Sequence, residues 1–228
     1  MTVRNTLARV AVLLVALAIG GCGGEAPEPA AAPAAPAAAP VALFIGDSYT
    51  EGTGLTGEDL RARWTSVVSA ELGWKEVNAG CSGSGYVRRG LLCNNTFAER
   101  IPSVTFTKPD VVLLMGGVND VGSPPSEGAL AATDTLEAVV AAFPDARVVV
   151  ISGITFEAPN PATLTAINQA LEASAGELGV TYLDIGQPLA ENPDLLGPDG
   201  LHPNIAGHAE IAERVIAALE SSGYFSLG

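Results

Sequence analysis

From residue 41 onward, short apolar runs alternate with longer stretches in which apolar residues recur every three or four positions. Val41-Ala42-Leu43-Phe44-Ile45 is continuously apolar and stops at Gly46, as a central strand buried on both faces requires. Val111-Val112-Leu113-Leu114-Met115, ended by Gly116-Gly117, repeats the pattern. Runs at 75–78, 147–152 and 180–184 complete five predicted strands. Helical periodicity predicts helices over 58–72, 126–142, 161–178 and 203–219, with Pro203 at a first helical position, where its missing amide costs nothing. Such alternation builds a parallel sheet covered by helices on both faces. The expected fold class is therefore α/β, a single doubly wound domain over 41–228. Residues 81–108 show no clear period and read as irregular.

The first forty residues break this pattern. Arg4 and Arg9 precede an apolar run over 10–19, shorter than the roughly 20 residues a membrane-spanning helix needs, so residues 1–21 read as a signal peptide. The run ends in Ile19-Gly20-Gly21-Cys22, which resembles the lipobox of bacterial lipoproteins. That resemblance implies cleavage before Cys22 and a lipid on its sulfur; an ordinary signal peptide is the alternative. Residues 23–40 consist largely of alanine and proline, a composition that favours extended polyproline II segments over helix. With Cys22 they read as a tether over 22–40. The expectation is an exported cell-envelope protein, its catalytic domain outside the cytoplasm and its membrane partner reached through the anchor on Cys22.

A formal charge of −14 repels phosphate backbones, so no nucleic-acid partner is expected. Setting Cys22 aside leaves Cys81 and Cys93 as an even pair in a glycine-rich region. In an exported protein this predicts a disulfide, with two buried thiols as the other reading.

Ligands bind such sheets outside the carboxyl ends of the strands, which directs attention to the residues that follow each one. After the first strand comes Gly46-Asp47-Ser48-Tyr49-Thr50-Glu51-Gly52, where a sharp turn can present the Ser48 hydroxyl; alone, a serine there is more often a turn residue or helix cap. Asp199-Gly200-Leu201-His202-Pro203 places a carboxylate three residues from an imidazole, close enough to fix the ring's tautomer and stabilise its protonated form. The chain's other histidine, His208, has no carboxylate partner in the sequence and reads as a solvated or core-edge residue. Asn78-Ala79-Gly80 and Gly117-Val118-Asn119-Asp120 follow two further strands and offer hydrogen-bond donors. An oxyanion site drawn from these would use the Ser48 and Gly80 amides and the Asn119 side chain.

Together the blocks GDSYTEG, NAG, GVND and DGLHP, in this order, resemble the SGNH hydrolase superfamily, the GDSL-type esterases and lipases. The resemblance spans residues 41–228. It implies a flavodoxin-like three-layer α/β/α sandwich around a five-stranded parallel sheet, and hydrolysis of carboxylic esters through an acyl-serine intermediate. It implies Ser48 as nucleophile, His202 as base, Asp199 as the third triad member, an oxyanion hole of Ser48, Gly80 and Asn119, and no metal or cofactor. The sequence departs in reading GDSY for GDSL and GGVND for GTND. Tyr49 is expected beneath the nucleophile turn or bordering the acyl site, while Asp47 and Asp120 are expected to be structural.

Within 81–108, Ser84, Tyr86, Arg88 and Arg89 are expected to shape specificity. The arginine pair either meets an anionic or carbohydrate substrate or is simply solvated. The expected substrate is a small-molecule or glycan ester with a short acyl group. Acyl transfer to an envelope glycan, which uses the same intermediate, and a non-catalytic glycan-binding protein on the same fold are the alternatives.

Overall fold

The computed structural model describes residues 38–157 and 161–226. The predicted signal peptide, Cys22 and most of the tether lie outside the described residues. Five parallel strands, β1 (Val41–Gly46), β2 (Lys75–Gly80), β3 (Val111–Met115), β4 (Arg147–Ile151) and β5 (Thr181–Leu183), form one sheet in the order β2-β1-β3-β4-β5. This is the flavodoxin-like order, in which the chain reverses direction across the sheet between β1 and β3 and opens a crevice at their carboxyl ends.

The period of two within each strand divides the core. Ala42 and Phe44 of β1 face one side with Trp64, Val68, Ile211 and Val215, which belong to α2 (Trp64–Glu71) and α6 (Ile205–Ser221). Leu43 and Ile45 face the other side with Leu136, Val139, Ile167 and Leu171, which belong to α4 (Pro125–Ala142) and α5 (Ala162–Leu178). Three layers result. The two shortest helices, α1 (Ser48–Glu51) and α3 (Phe97–Arg100), sit near the carboxyl ends of the strands.

Four local expectations need correction. The helix predicted over 58–72 is broken: Gly57–Ala62 is a 3-10 turn, and Arg63 is extended at φ −58° and ψ 137° before α2 begins. The side chain of Arg63 is anchored at this break, bonding Glu51 O and Glu76 Oε1, both at 2.9 Å. Pro203 is not the first residue of α6 but pairs with Leu196 in an isolated bridge, and Asn204 caps the helix by accepting from Gly207 N at 3.0 Å. Residues 81–108 contain α3, started by a reciprocal capping box between Thr96 and Glu99. The strand β2 runs to Gly80, two residues past the predicted end, because its register continues opposite Ile45 and Gly46.

His208 is fully buried rather than solvated or at the core edge. Its Nδ1 accepts from Trp64 N at 3.4 Å and so caps α2, whose own cap residue Arg63 makes no side-chain cap bond. Burial, with the Arg63 charge secondary, holds the imidazole neutral and lowers its pKa from 6.5 to about 4. The linkage follows from this depressed value. The unfolded chain takes up a proton near pH 6.5 while the fold resists until about pH 4, so the contribution is complete above pH 6.5 and is lost as pH falls to about 4. His208→Gln removes the titration. The stability of the native chain relative to this variant should fall by about 3 kcal/mol between about pH 7 and pH 4 in urea unfolding. The opposite drift from buried Asp47, whose carboxyl is raised to about 7, is common to both chains and cancels.

Candidate active site

The turn after β1 is built around Asp47. Its Oδ1 accepts from Tyr49 N at 2.9 Å and starts α1, leaving the Ser48 amide at a helix N-terminus with no intrahelical acceptor. The helix stops after one turn at Gly52, which takes the left-handed conformation with φ 86°. Ser48 is 5% exposed and opens onto a cavity of about 270 Å³ that also receives Asn119, Leu201 and His202.

Gly46 and Gly80 form the floor of this turn. A Cβ on Gly46 would lie 2.2 Å from Thr50 Oγ1, and one on Gly80 would lie 2.3 Å from Glu51 N. Asn78 staples the same contact, donating from Nδ2 to Thr50 O at 2.7 Å and accepting from Gly80 N at 2.9 Å. Beneath it, the buried Arg100 guanidinium donates to Gly46 O at 2.8 Å, Ala79 O at 2.6 Å and Ser84 Oγ at 2.7 Å.

Asp199 and His202 meet as their spacing predicts. Asp199 Oδ2 lies 2.7 Å from His202 Nδ1, and Oδ1 accepts from the Leu201 and His202 amides, each at 3.0 Å. The imidazole bond, followed by these two amides, lowers the aspartate pKa to about 2 although the side chain is half exposed. An ionised aspartate only accepts hydrogen bonds, so Nδ1 carries the proton and the lone pair of the neutral ring sits on Nε2. Tyr49 locks this turn to the nucleophile turn. Its hydroxyl donates to Leu201 O at 3.0 Å, and the two rings pack edge to face at 6.1 Å. No hydrogen bond joins Ser48 Oγ to His202 in this structure, a looseness common in free active sites.

A serine, an imidazole held by a carboxylate, and an asparagine amide around one cavity at the crevice of a parallel sheet form a constellation for acyl transfer. The model of the GDSL-like Lipase/Acylhydrolase family matches residues 44–210. The chain belongs to that family. It is a serine hydrolase acting on ester bonds. It is similar to a GDSL lipase of Mycobacterium tuberculosis, with 30% identity over 189 residues covering 77% of this chain and 79% of that protein. Among solved structures it shares its fold with the inhibitor-bound aryl esterase of M. smegmatis, at TM-score 0.64 and 21% identity over 81% of this chain and 100% of that one. It also shares its fold with a carbohydrate acetylesterase family member from Sinorhizobium meliloti, at TM-score 0.61 and 20% identity over 80% and 96% of the two chains.

Not every expected site residue of this GDSL hydrolase reaches the cavity. Gly80 does not: it ends β2, and its amide is engaged by Asn78 Oδ1. Three residues later Gly83 lines the cavity beside Ser48 and Asn119, with φ 75° and no acceptor for its amide among the described residues. Gly83 was missed because β2 was expected to end at Asn78, which put Gly80 in the loop. The second glycine of Gly80-Cys81-Ser82-Gly83 was the available signal.

Asn119 donates one amide hydrogen to Ser84 O at 2.9 Å, which aims the NH2 group and leaves its second hydrogen free. Asp120 is structural, accepting from the amides of Tyr86, Val87 and Arg88 at 2.8 to 3.0 Å. The arginine pair separates: Arg89 is tied to Glu99 and Asn94, whereas Arg88 lines the cavity and has no side-chain partner among the described residues. Leu91, Val118, Val121 and Phe156 supply apolar wall, and Glu157 supplies a second charge. Among the described residues no group of three or more His, Cys, Asp or Glu is placed to hold a metal ion.

Cys81 and Cys93 are bonded, with Cα atoms 6.5 Å apart. The loop they close carries Ser82, Gly83, Arg88 and Leu91, all on the cavity wall. Replacing both cysteines by serine should cost about 3 kcal/mol in chemical unfolding, the usual value for a loop of this size. It should also lower kcat for ester cleavage at least several-fold with a smaller change in KM, because the Gly83 amide loses its fixed position.

Proposed function

We propose that the protein is an exported, lipid-anchored esterase that removes short acyl groups from carboxylic esters. In this reading His202 Nε2 takes the Ser48 proton as Oγ attacks the carbonyl carbon. The oxyanion is received by the amides of Ser48 and Gly83 and by Asn119 Nδ2. The imidazolium is stabilised by Asp199 and gives its proton to the departing alcohol. Water activated by the same imidazole then frees the acyl group. The observation that carries the reading is the 2.7 Å pairing of ionised Asp199 with Nδ1 of a histidine that shares a cavity with Ser48 and Asn119.

A volume of about 270 Å³ falls below the roughly 300 to 1,000 Å³ of sites for drug-sized ligands, which supports a short acyl group. Export and anchoring rest on Arg4, Arg9, the apolar run over 10–19 and Cys22.

Ser48→Ala should abolish both ester hydrolysis and labelling by a fluorophosphonate; undiminished turnover in that variant would refute the assignment. Asp199→Asn should retain more activity than His202→Ala, since only the latter removes the base. In a bacterial host the native chain should incorporate radiolabelled palmitate and partition with membranes. Cys22→Ser should lose both, and an unchanged membrane fraction would count against the anchor.

A further inference from the structure

Two cavities share His202 in their walls. The first holds Ser48 and Asn119; the second, about 340 Å³, is bounded by the loop after α1 and by the segment leading into α6. Among the described residues, His202 alone lines both. The second cavity is not needed by any of the groups that bind the carbonyl or the oxyanion, and its walls are chemically distinct from theirs. Leu55, Pro198, Pro203 and Ile205 make it mainly apolar, and Ile205, the first residue of α6, is 50% exposed. Its charged residues, Asp59 and Asp199, are both acidic.

We propose that this groove is the leaving-group subsite and that it takes an uncharged apolar alcohol, alkyl or aryl. The inference rests on the esterase reading above and adds the half of the substrate which that reading leaves open. When the tetrahedral intermediate collapses, the bond between carbonyl carbon and alkoxy oxygen breaks and its electron pair stays on that oxygen. The same oxygen takes the proton from His202 Nε2. The alkoxy oxygen is therefore within hydrogen-bond reach of the imidazole, while the acyl carbon stays bonded to Ser48 and its chain stays in the first cavity. A chain on that oxygen that runs past His202 enters the groove between Leu55 and Ile205. Two carboxylates, with no lysine or arginine among the described residues that line the groove, repel an anionic alcohol.

Acetate esters of ethanol, butanol and hexanol keep the acyl group constant and vary only this half. Half-burial of each added methylene corresponds to roughly twofold per CH2 in kcat/KM. A rise of about tenfold or more from ethyl to hexyl is expected in the native chain. Leu55→Ser and Ile205→Ser should each flatten that rise at least threefold, whereas Leu130→Ser, exposed on α4 and lining neither cavity, should keep it. An equal rise in the Ile205 variant, or none in the native chain, overturns the proposal. Binding is read separately in Ser48→Ala by NMR titration with 1-hexanol. Shifts should fall on Leu55 and Ile205, and hexanoate at the same concentration should not reproduce them. Shifts confined to Leu91, Val118 and Phe156 overturn the assignment. Residual ester cleavage by Ser48→Ala would instead defeat the catalytic reading, leaving the hexanol shifts to decide the groove on their own.

Discussion

The site depends on a single close approach, a one-turn helix lying directly on the ends of two strands. Helix α1 can reach β1 and β2 only because Gly46 and Gly80, partners in the parallel register, present no side chain to it. A methyl group at Gly46 would overlap the Thr50 side chain and Met115 O, and one at Gly80 would overlap the backbone of Glu51, a contact that relaxes only by moving the helix. Moving the helix moves Ser48. The two glycines thus act on the chemistry without touching a substrate, and Asn78 and Arg100 fasten the same contact from the side and from below.

The charges around this contact are sorted by burial and by hydrogen bonding. Asp47 is enclosed under the nucleophile turn, and desolvation raises its carboxyl to about 7. Asp199 is half exposed yet is held to about 2, because the imidazole and two amides all donate to it. Only the second is fully ionised across neutral pH, and it is the one that faces the base. Arg100, buried among strand carbonyls, joins the ends of β1 and β2 to Ser84 in the loop that carries Gly83. The turn that carries Ser48 and the loop that carries Gly83 are in this way fixed to one guanidinium.

Around that rigid floor, the parts that meet the two ends of an ester lie on loops. The disulfide-closed loop brings Gly83, Arg88 and Leu91 to the first cavity, and the turn from Pro198 to Ile205 borders the second. His202 stands between them. Tyr49 ties its turn back to the helix that carries Ser48 through Leu201 O. A leucine at position 49, the residue found in the commoner GDSL opening, would fill the space beneath the base but make no such bond.

The sequence by itself determined the α/β class and the parallel strands of the sheet. Buried strands need unbroken apolar runs, and an aspartate three residues before a histidine can pair within one turn. Those are local facts; Ser48, Asp199, His202 and Asn119 stood out only through the joint order of their blocks, and the structure brings Ser48, Asn119 and His202 onto one cavity with Asp199 bonded to His202. The glycine that lines the cavity was not legible. Choosing between Gly80 and Gly83 required knowing where β2 ends, and that is set by its pairing with β1 rather than by its own residues. His208 was misjudged for a similar reason, since an imidazole inside α6 finds its partner at Trp64 N, 144 positions earlier in the chain. The break before α2, the burial of Arg100 and the second cavity behind His202 likewise belong to the tertiary structure alone, because each joins segments whose approach is decided only when the layers pack.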